Sequence, residues 1–206
     1  MTDVWFCNVV NNVDLVKLMT ASLGVDDWDF AVAAEKANHA GAALGAGHFS
    51  KQVWADKHVR TRLKLHPIFF GNGEYIVNEA AAQVLRLHDM GAGALYPVEV
   101  LERDRKTPAR GGPWFCWNFG NVKHAIVVEE CRGLRPNPFY RQQRRLPPDV
   151  EDDDIAVSAA ALRGPDVWVD PALNDTLFVS GRLGAALHEV ELDGAFRLRR
   201  CRVVEG

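Results

Sequence analysis

Ile76-Val77-Asn78-Glu79-Ala80-Ala81-Ala82-Gln83-Val84-Leu85 decides how this chain is read, because its pattern recurs. One hundred and two positions later stands Phe178-Val179-Ser180-Gly181-Arg182-Leu183-Gly184-Ala185-Ala186-Leu187. Each copy is a short apolar run, a small polar residue, then an apolar stripe at helical spacing: Ala81, Val84, Leu85 and His88 in one, Leu183, Ala186, Leu187 and Val190 in the other. Glycine and an alternating apolar run follow in both. The pattern predicts strand, N-cap, helix, turn and strand twice over. Asn78 and Ser180 are the predicted caps, each worth about 0.5–2 kcal/mol to its helix.

Working outward, Trp114-Phe115-Cys116-Trp117-Asn118-Phe119 is apolar on both sides, which predicts a central strand covered on two faces. Trp114, Trp117 and Trp168 are read as core residues rather than interface anchors. Arg103 to Gly112 reads as a hairpin connection between that strand and the run containing Tyr96, Val98 and Val100. Val4 to Val10 reads as a strand, Asp14 to Ala21 and Ala31 to Ala40 as helices, and the glycines at 41, 45 and 47 as a loop running through Phe49 and Trp54. Val59 to Leu65 alternates apolar residues against Arg60, Arg62 and Lys64, the pattern of a strand with one basic face. Lys123 to Glu130 favours strand by its β-branched centre. Gly91 or Gly93 is expected to stop the first helix. A final strand carries Phe196, Leu198, Cys201 and Val203, with a β-bulge near Arg199 to restore their common face.

These elements imply an α+β fold with mixed or mainly antiparallel sheets and two related strand–helix–strand units. The expected divisions are an N-terminal α/β region over residues 1–66, a first unit with the aromatic strand over 67–131, an exposed proline-rich and charged connection over 132–154, and a second unit over 155–206. Hydrophobic content of 48% with 25% charged residues fits a globular chain with a real core. A net charge of −3 gives no global field for nucleic acid. No apolar run is long enough to span a membrane, and no signal peptide stands at the start, so the expected location is cytoplasmic.

Cys7, Cys116, Cys131 and Cys201 are widely spaced and read as free thiols, without metal or disulfide spacing. None of the seven histidines forms a zinc-hydrolase pattern, and His188-Glu189 is read as the solvated edge of the second helix. The glycine-rich stretch lacks the lysine and hydroxyl of a phosphate loop, and Ser180 lacks the flanking glycines of a nucleophile elbow. No catalytic residue, cofactor or metal is therefore expected. Glu151, Asp152, Asp153 and Asp154 form a run expected to meet a basic partner, mainly by raising the association rate. It follows the basic run Arg141-Gln142-Gln143-Arg144-Arg145.

Asp166-Val167-Trp168-Val169-Asp170-Pro171, then Leu177-Phe178-Val179-Ser180 with Leu183 and Leu187, then Gly194 and a strand ending near Val203, resembles the C-terminal part of the immunity protein 11 family. Val77-Asn78-Glu79-Ala80 through Leu85, Tyr96-Pro97-Val98 and the aromatic strand to Asn118 are similar to it too. The resemblance covers residues 70–206 and leaves 1–66 outside. It implies a bacterial protein encoded beside a polymorphic toxin, which binds and neutralises that toxin without catalysis. The alternative is a small cytoplasmic enzyme whose site is assembled from scattered groups such as His66, His124 and the acidic run.

Overall fold

The structure is a computed structural model, and it describes residues 3–10, 12–138, 140 and 142–205. Arg141 of the basic run and residues 1 and 2 lie outside them. In chain order the first elements are β1 (Val4–Cys7), β2 (Val16–Lys17), β3 (Met19–Ala21), α1 (Ser22–Asp26), α2 (Trp28–His39) and β4 (Gln52–Ala55). Next come β5 (Ile68–Gly71), β6 (Glu74–Asn78), α3 (Glu79–Arg86), β7 (Ala94–Leu101) and β8 (Trp114–Asn118). The remainder is β9 (Arg135–Pro136), β10 (Arg144–Arg145), β11 (Ala156–Ser158), β12 (Val167–Val169), β13 (Leu177–Ser180), α4 (Gly181–Glu189), α5 (Asp193–Phe196) and β14 (Leu198–Val204). The fold is α+β with mixed sheets.

One sheet runs β2-β5-β6-β8-β7-β4-β3 and the other β11-β14-β1-β13-β12. In the first, β6 and β7 both lie antiparallel to β8, so they run parallel to each other and α3 crosses between them. In the second, β13 and β14 flank β1 in the same way, and α4 crosses. The registers match residue for residue: Trp114 sits opposite Asn78 and Val98, and Val4 sits opposite Ser180 and Cys201. Outer strands correspond too, β5 with β12 antiparallel to their neighbours and β4 with β11 parallel to theirs.

Both sheets close on themselves. Val16 pairs in parallel with Phe70 of β5, while Ala21 pairs antiparallel with Val53 of β4, so one stretch of chain joins the two edges of the first sheet. In the second, Val122 bridges Val169 in parallel and Ile126 bridges Val157 antiparallel. Each half of the chain thus builds a small barrel but takes that barrel's central strand from the other half. The first half's β1 fills the second barrel, and the second half's β8 fills the first. Closure removes the exposed edges that would otherwise template aggregation.

The alternation of side chains then accounts for three cores. Met19, Val53, Phe69, Ile76, Val98, Trp114 and Cys116 fill the first barrel. Val4, Phe6, Val157, Trp168, Phe178 and Cys201 fill the second. Between the barrels, Cys7, Tyr75, Val77, Phe115, Trp117 and Val179 meet the apolar faces of α3 and α4 in a shared core. Asn78 Oδ1 accepts from the Ala81 amide at 3.0 Å, and Ser180 Oγ from the Leu183 amide at 3.2 Å. Cys7, Cys116, Cys131 and Cys201 are free thiols.

Several expectations are corrected. Asp14–Ala21 is not a helix: Leu18 points out while Met19 and Ala21 enter the barrel, because this stretch is the strand that closes it. Trp54 belongs to β4 rather than to a loop. Val59–Leu65 forms no ladder, although Leu63 and Leu65 still pack inward and Arg60, Arg62 and Lys64 face solvent. Residues 123–130 form no continuous strand, since the Asp170 carboxylate takes the amides of Ala125 and Ile126 at 2.7 and 2.9 Å. The first helix ends at Arg86, before either glycine. Phe196 lies on α5, and β14 continues in unbroken register past Arg199 without a bulge. Leu198 therefore faces the shared core while Cys201 and Val203 face the barrel interior. A two-sided strand needs no bulge to bury all three.

The divisions at 66 and 132 are crossed by pairing. Residues 1–66 supply strands to both barrels. The 132–154 connection contains the β9–β10 hairpin, and its Leu146 and Val150 pack into the second barrel's core.

One buried acid sits in the first barrel. Glu74 Oε1 accepts from the Ser50 amide at 2.8 Å, and its other oxygen from the Cys116 thiol at 3.3 Å. Burial, more than any other influence, holds its carboxyl above the ordinary value. The folded state therefore keeps a proton that the unfolded chain has already released, so stability falls as pH rises from the ordinary carboxylate range through Glu74's raised value. Glu74→Gln is expected to flatten that fall, read as a smaller difference in melting temperature between pH 5 and pH 8 buffers. An unchanged difference would show that the carboxyl ionises as freely folded as unfolded.

Candidate partner-binding surfaces

The acidic run forms a turn against β14. Arg200 clasps Asp153 through two nitrogens, at 3.1 and 2.7 Å, and its backbone amide donates to Asp152 Oδ1 at 2.8 Å. Asp154 accepts from the Glu151 amide at 2.9 Å. Three of the four carboxylates are thus engaged within the chain, and Glu151 remains exposed beside a shallow cleft that also holds Asp149, Arg197 and Arg199. His66 and His124 line none of these clefts, and among the described residues no hydrogen bond or ion pair joins either to the acidic run. Among the described residues no group of three His, Cys, Asp or Glu side chains is placed to hold a metal ion. No helix among them is long and apolar enough to cross a membrane.

Sequence reasoning missed two long-range polar clusters, the first of which links the halves. His39, at the end of α2, meets the Asp175 carboxylate through Nδ1 at 2.8 Å, at a separation of 136 residues. Its ring lies among Phe70, Tyr75 and Phe119. The pair borders a cleft of about 570 Å³ between α2 and the β9–β10 hairpin, with Lys36, Gln143 and Arg145 on its walls. Lys123 is the second: its ammonium lies 3.5 Å over the Trp168 ring and donates to the carbonyls of Ala161 and Pro165. Burial pushes its pKa down to about 8. Both are long-range contacts that no local spacing announces.

The most conspicuous surface is the corner where α1 meets α2, Val25-Asp26-Asp27-Trp28-Asp29-Phe30. Among the described residues eleven large apolar side chains are exposed, and six of them fall between positions 13 and 30. Trp28 leaves 64% of its surface in solvent, with Val25 at 61% and Phe30 at 40%. The Asp27 carboxylate caps α2 by accepting from the Phe30 amide at 3.0 Å, and Asp29 favours the same positive helix end. Those local roles explain the acids. They leave the exposed indole unexplained, since a Trp side chain in water forgoes about the largest burial gain of any residue. The sequence signal was present, an aromatic residue among three aspartates at the start of a helix.

No family model matches the chain, and no match is found among curated proteins.

Proposed function

We propose that the protein is an immunity protein, a non-catalytic inhibitor that binds and neutralises a bacterial toxin encoded beside it. The single observation that carries this reading is the exposed Trp28 on the acidic, apolar corner of α1 and α2. Tryptophan is the residue most often found as a binding anchor, and it works best within a patch that excludes water when covered. The surrounding carboxylates of Asp26, Asp27 and Asp29 steer a basic partner and fix its register. The resemblance of residues 70–206 to the immunity protein 11 family supports the same reading. A complex of standard size buries on the order of 1,600 Å², far more than one corner, so Trp28 is its anchor rather than its whole extent.

Co-expression of the adjacent toxin with this chain tests the proposal. The expected result is cell survival and co-purification of the two proteins. A toxin that stays lethal and does not co-purify ends the reading. Trp28→Ala is expected to weaken the complex by about 30-fold or more. Its melting temperature stays within a degree or two of wild type, because the side chain packs on little.

A further inference from the structure

The near-neutral net charge of −3 conceals a strongly basic face on the first barrel. On the extended stretch after β4, Lys57, Arg60, Arg62 and Lys64 are all exposed. On the connection between β7 and β8, Arg103, Arg105, Lys106 and Arg110 are exposed as well. The Leu63 amide donates to the Glu102 carboxylate at 3.2 Å, so the two stretches lie side by side.

The carboxylates on these stretches are turned to internal use. Asp56 accepts from the His58 amide, Glu99 from the Gln52 side chain, Glu102 from Leu63, and Asp104 from the amides of Lys106 and Thr107 and the Thr107 hydroxyl. By contrast none of these eight cations, nor Lys51, forms an ion pair among the described residues. Arg105 lies over the Trp54 ring at 4.4 Å, which orders it without neutralising it.

Beside this face runs an open groove of about 680 Å³, with Lys51, Arg105 and Lys106 on its rim and one carboxylate, Glu99, which the Gln52 side chain engages. Its apolar floor comes from the exposed Pro97, Pro108 and Pro113, over the largely buried Val98 and Phe115. At its inner end the Trp114 indole N–H has no acceptor among the described residues, and the backbone of Gly112 lies directly against it. A cationic rim over an apolar floor matches an extended chain whose side chains alternate between acidic and apolar.

We infer that this groove docks an acidic, extended segment of a partner protein, separately from the Trp28 corner. Nucleic acid fits less well. Trp54, Trp114 and Phe115 are all buried, so no exposed aromatic platform on this face is offered to stack bases. The acidic corner of a second copy carries suitable charge but presents its tryptophan from a helix, whereas the groove accepts extended chain.

A fluorescein-labelled peptide made of three Glu-Leu-Glu-Pro repeats tests the inference by anisotropy against the intact protein. The expected result is saturable binding that weakens by about tenfold between roughly 50 and 300 mM salt. The triple variant Lys51→Glu, Arg105→Glu, Lys106→Glu is expected to lose at least about tenfold while melting within a few degrees of wild type, since all three side chains are exposed and only the Arg105–Trp54 contact is lost. Trp28→Ala leaves peptide binding unchanged, which keeps this site distinct from the corner. Three results overturn the inference: no saturable binding up to about millimolar peptide, tighter binding of a twelve-residue oligothymidylate than of the peptide, or light scattering that shows self-association abolished by the triple variant.

Discussion

Cut between Arg110 and Gly111, the protein is expected to be recovered only as a complex of its two halves. A tagged 1–110 fragment co-expressed with 111–206 should retain its partner through affinity purification, and the pair should melt as one cooperative unit. Either fragment alone should be insoluble or lack a cooperative transition. The reason is the reciprocal exchange of central strands. Without β8, the first barrel loses Trp114, Phe115, Cys116 and Trp117, all buried, from between β6 and β7. Large aromatic deletions in cores each cost about 3–5 kcal/mol, against a total stability of about 5–15 kcal/mol for an ordinary domain. Loss of β1 similarly removes Val4 and Phe6 from the second barrel and Trp5 and Cys7 from the shared core. The cut itself falls in an exposed loop and leaves Ala109 paired to Val100. A cooperative, monomeric melt from either fragment alone would show that the exchanged strand is dispensable.

The second large effect is expected at Asn38. This buried side chain of α2 donates to the Trp117 carbonyl at 3.0 Å and accepts from the Asn118 side chain at 2.9 Å and the Phe119 amide at 3.0 Å. It therefore holds the first half's helix to the strand that the second half lends. Asn38→Leu keeps the branched shape and strands three partners in the core. Each unsatisfied buried group costs about 1–3 kcal/mol, so a loss of about 3 kcal/mol is expected. That corresponds to a melting temperature lower by roughly 6–12 °C for a chain of this size. A shift under about two degrees would mean that water replaces the side chain.

The repeat was legible because each copy is local: cap, helix stripe and apolar run sit within thirty residues, where spacing reports structure directly. Trp114–Phe119 was legible for a related reason, since a strand buried on both faces must be apolar throughout. What escaped was everything that depends on a distant partner. Leu15, Leu18 and Met19 satisfy a helical spacing, yet the unpaired edges of β5 and β4 decide their conformation. The β-branched run at 126–128 satisfies strand propensity, yet the Asp170 carboxylate claims the Ile126 amide and that of Ala125 just before it. The expected bulge at Arg199 came from assuming that a strand has one buried face; here it has two, and the alternation needed no repair.

The candidate surfaces divide in the same way. The acidic run at 151–154 stood out by composition, but Arg200, nearly fifty residues on, claims two of its carboxylates. The basic alternation at 60–64 was visible, while its junction with the β7–β8 connection was not. Trp28 was overlooked because exposure is a property of the folded surface, and a tryptophan in sequence reads by default as core.

The strand exchange also dictates an order of events during synthesis. β1 leaves the ribosome about 170 residues ahead of β13, the neighbour against which it finally pairs. At about 5–20 residues per second, its apolar side chains wait for roughly 10–30 seconds without a place in any finished barrel. Val4 to Val9 is therefore an apolar segment without its final partners in the nascent chain, and the first of these strands to be translated is among the last to be seated.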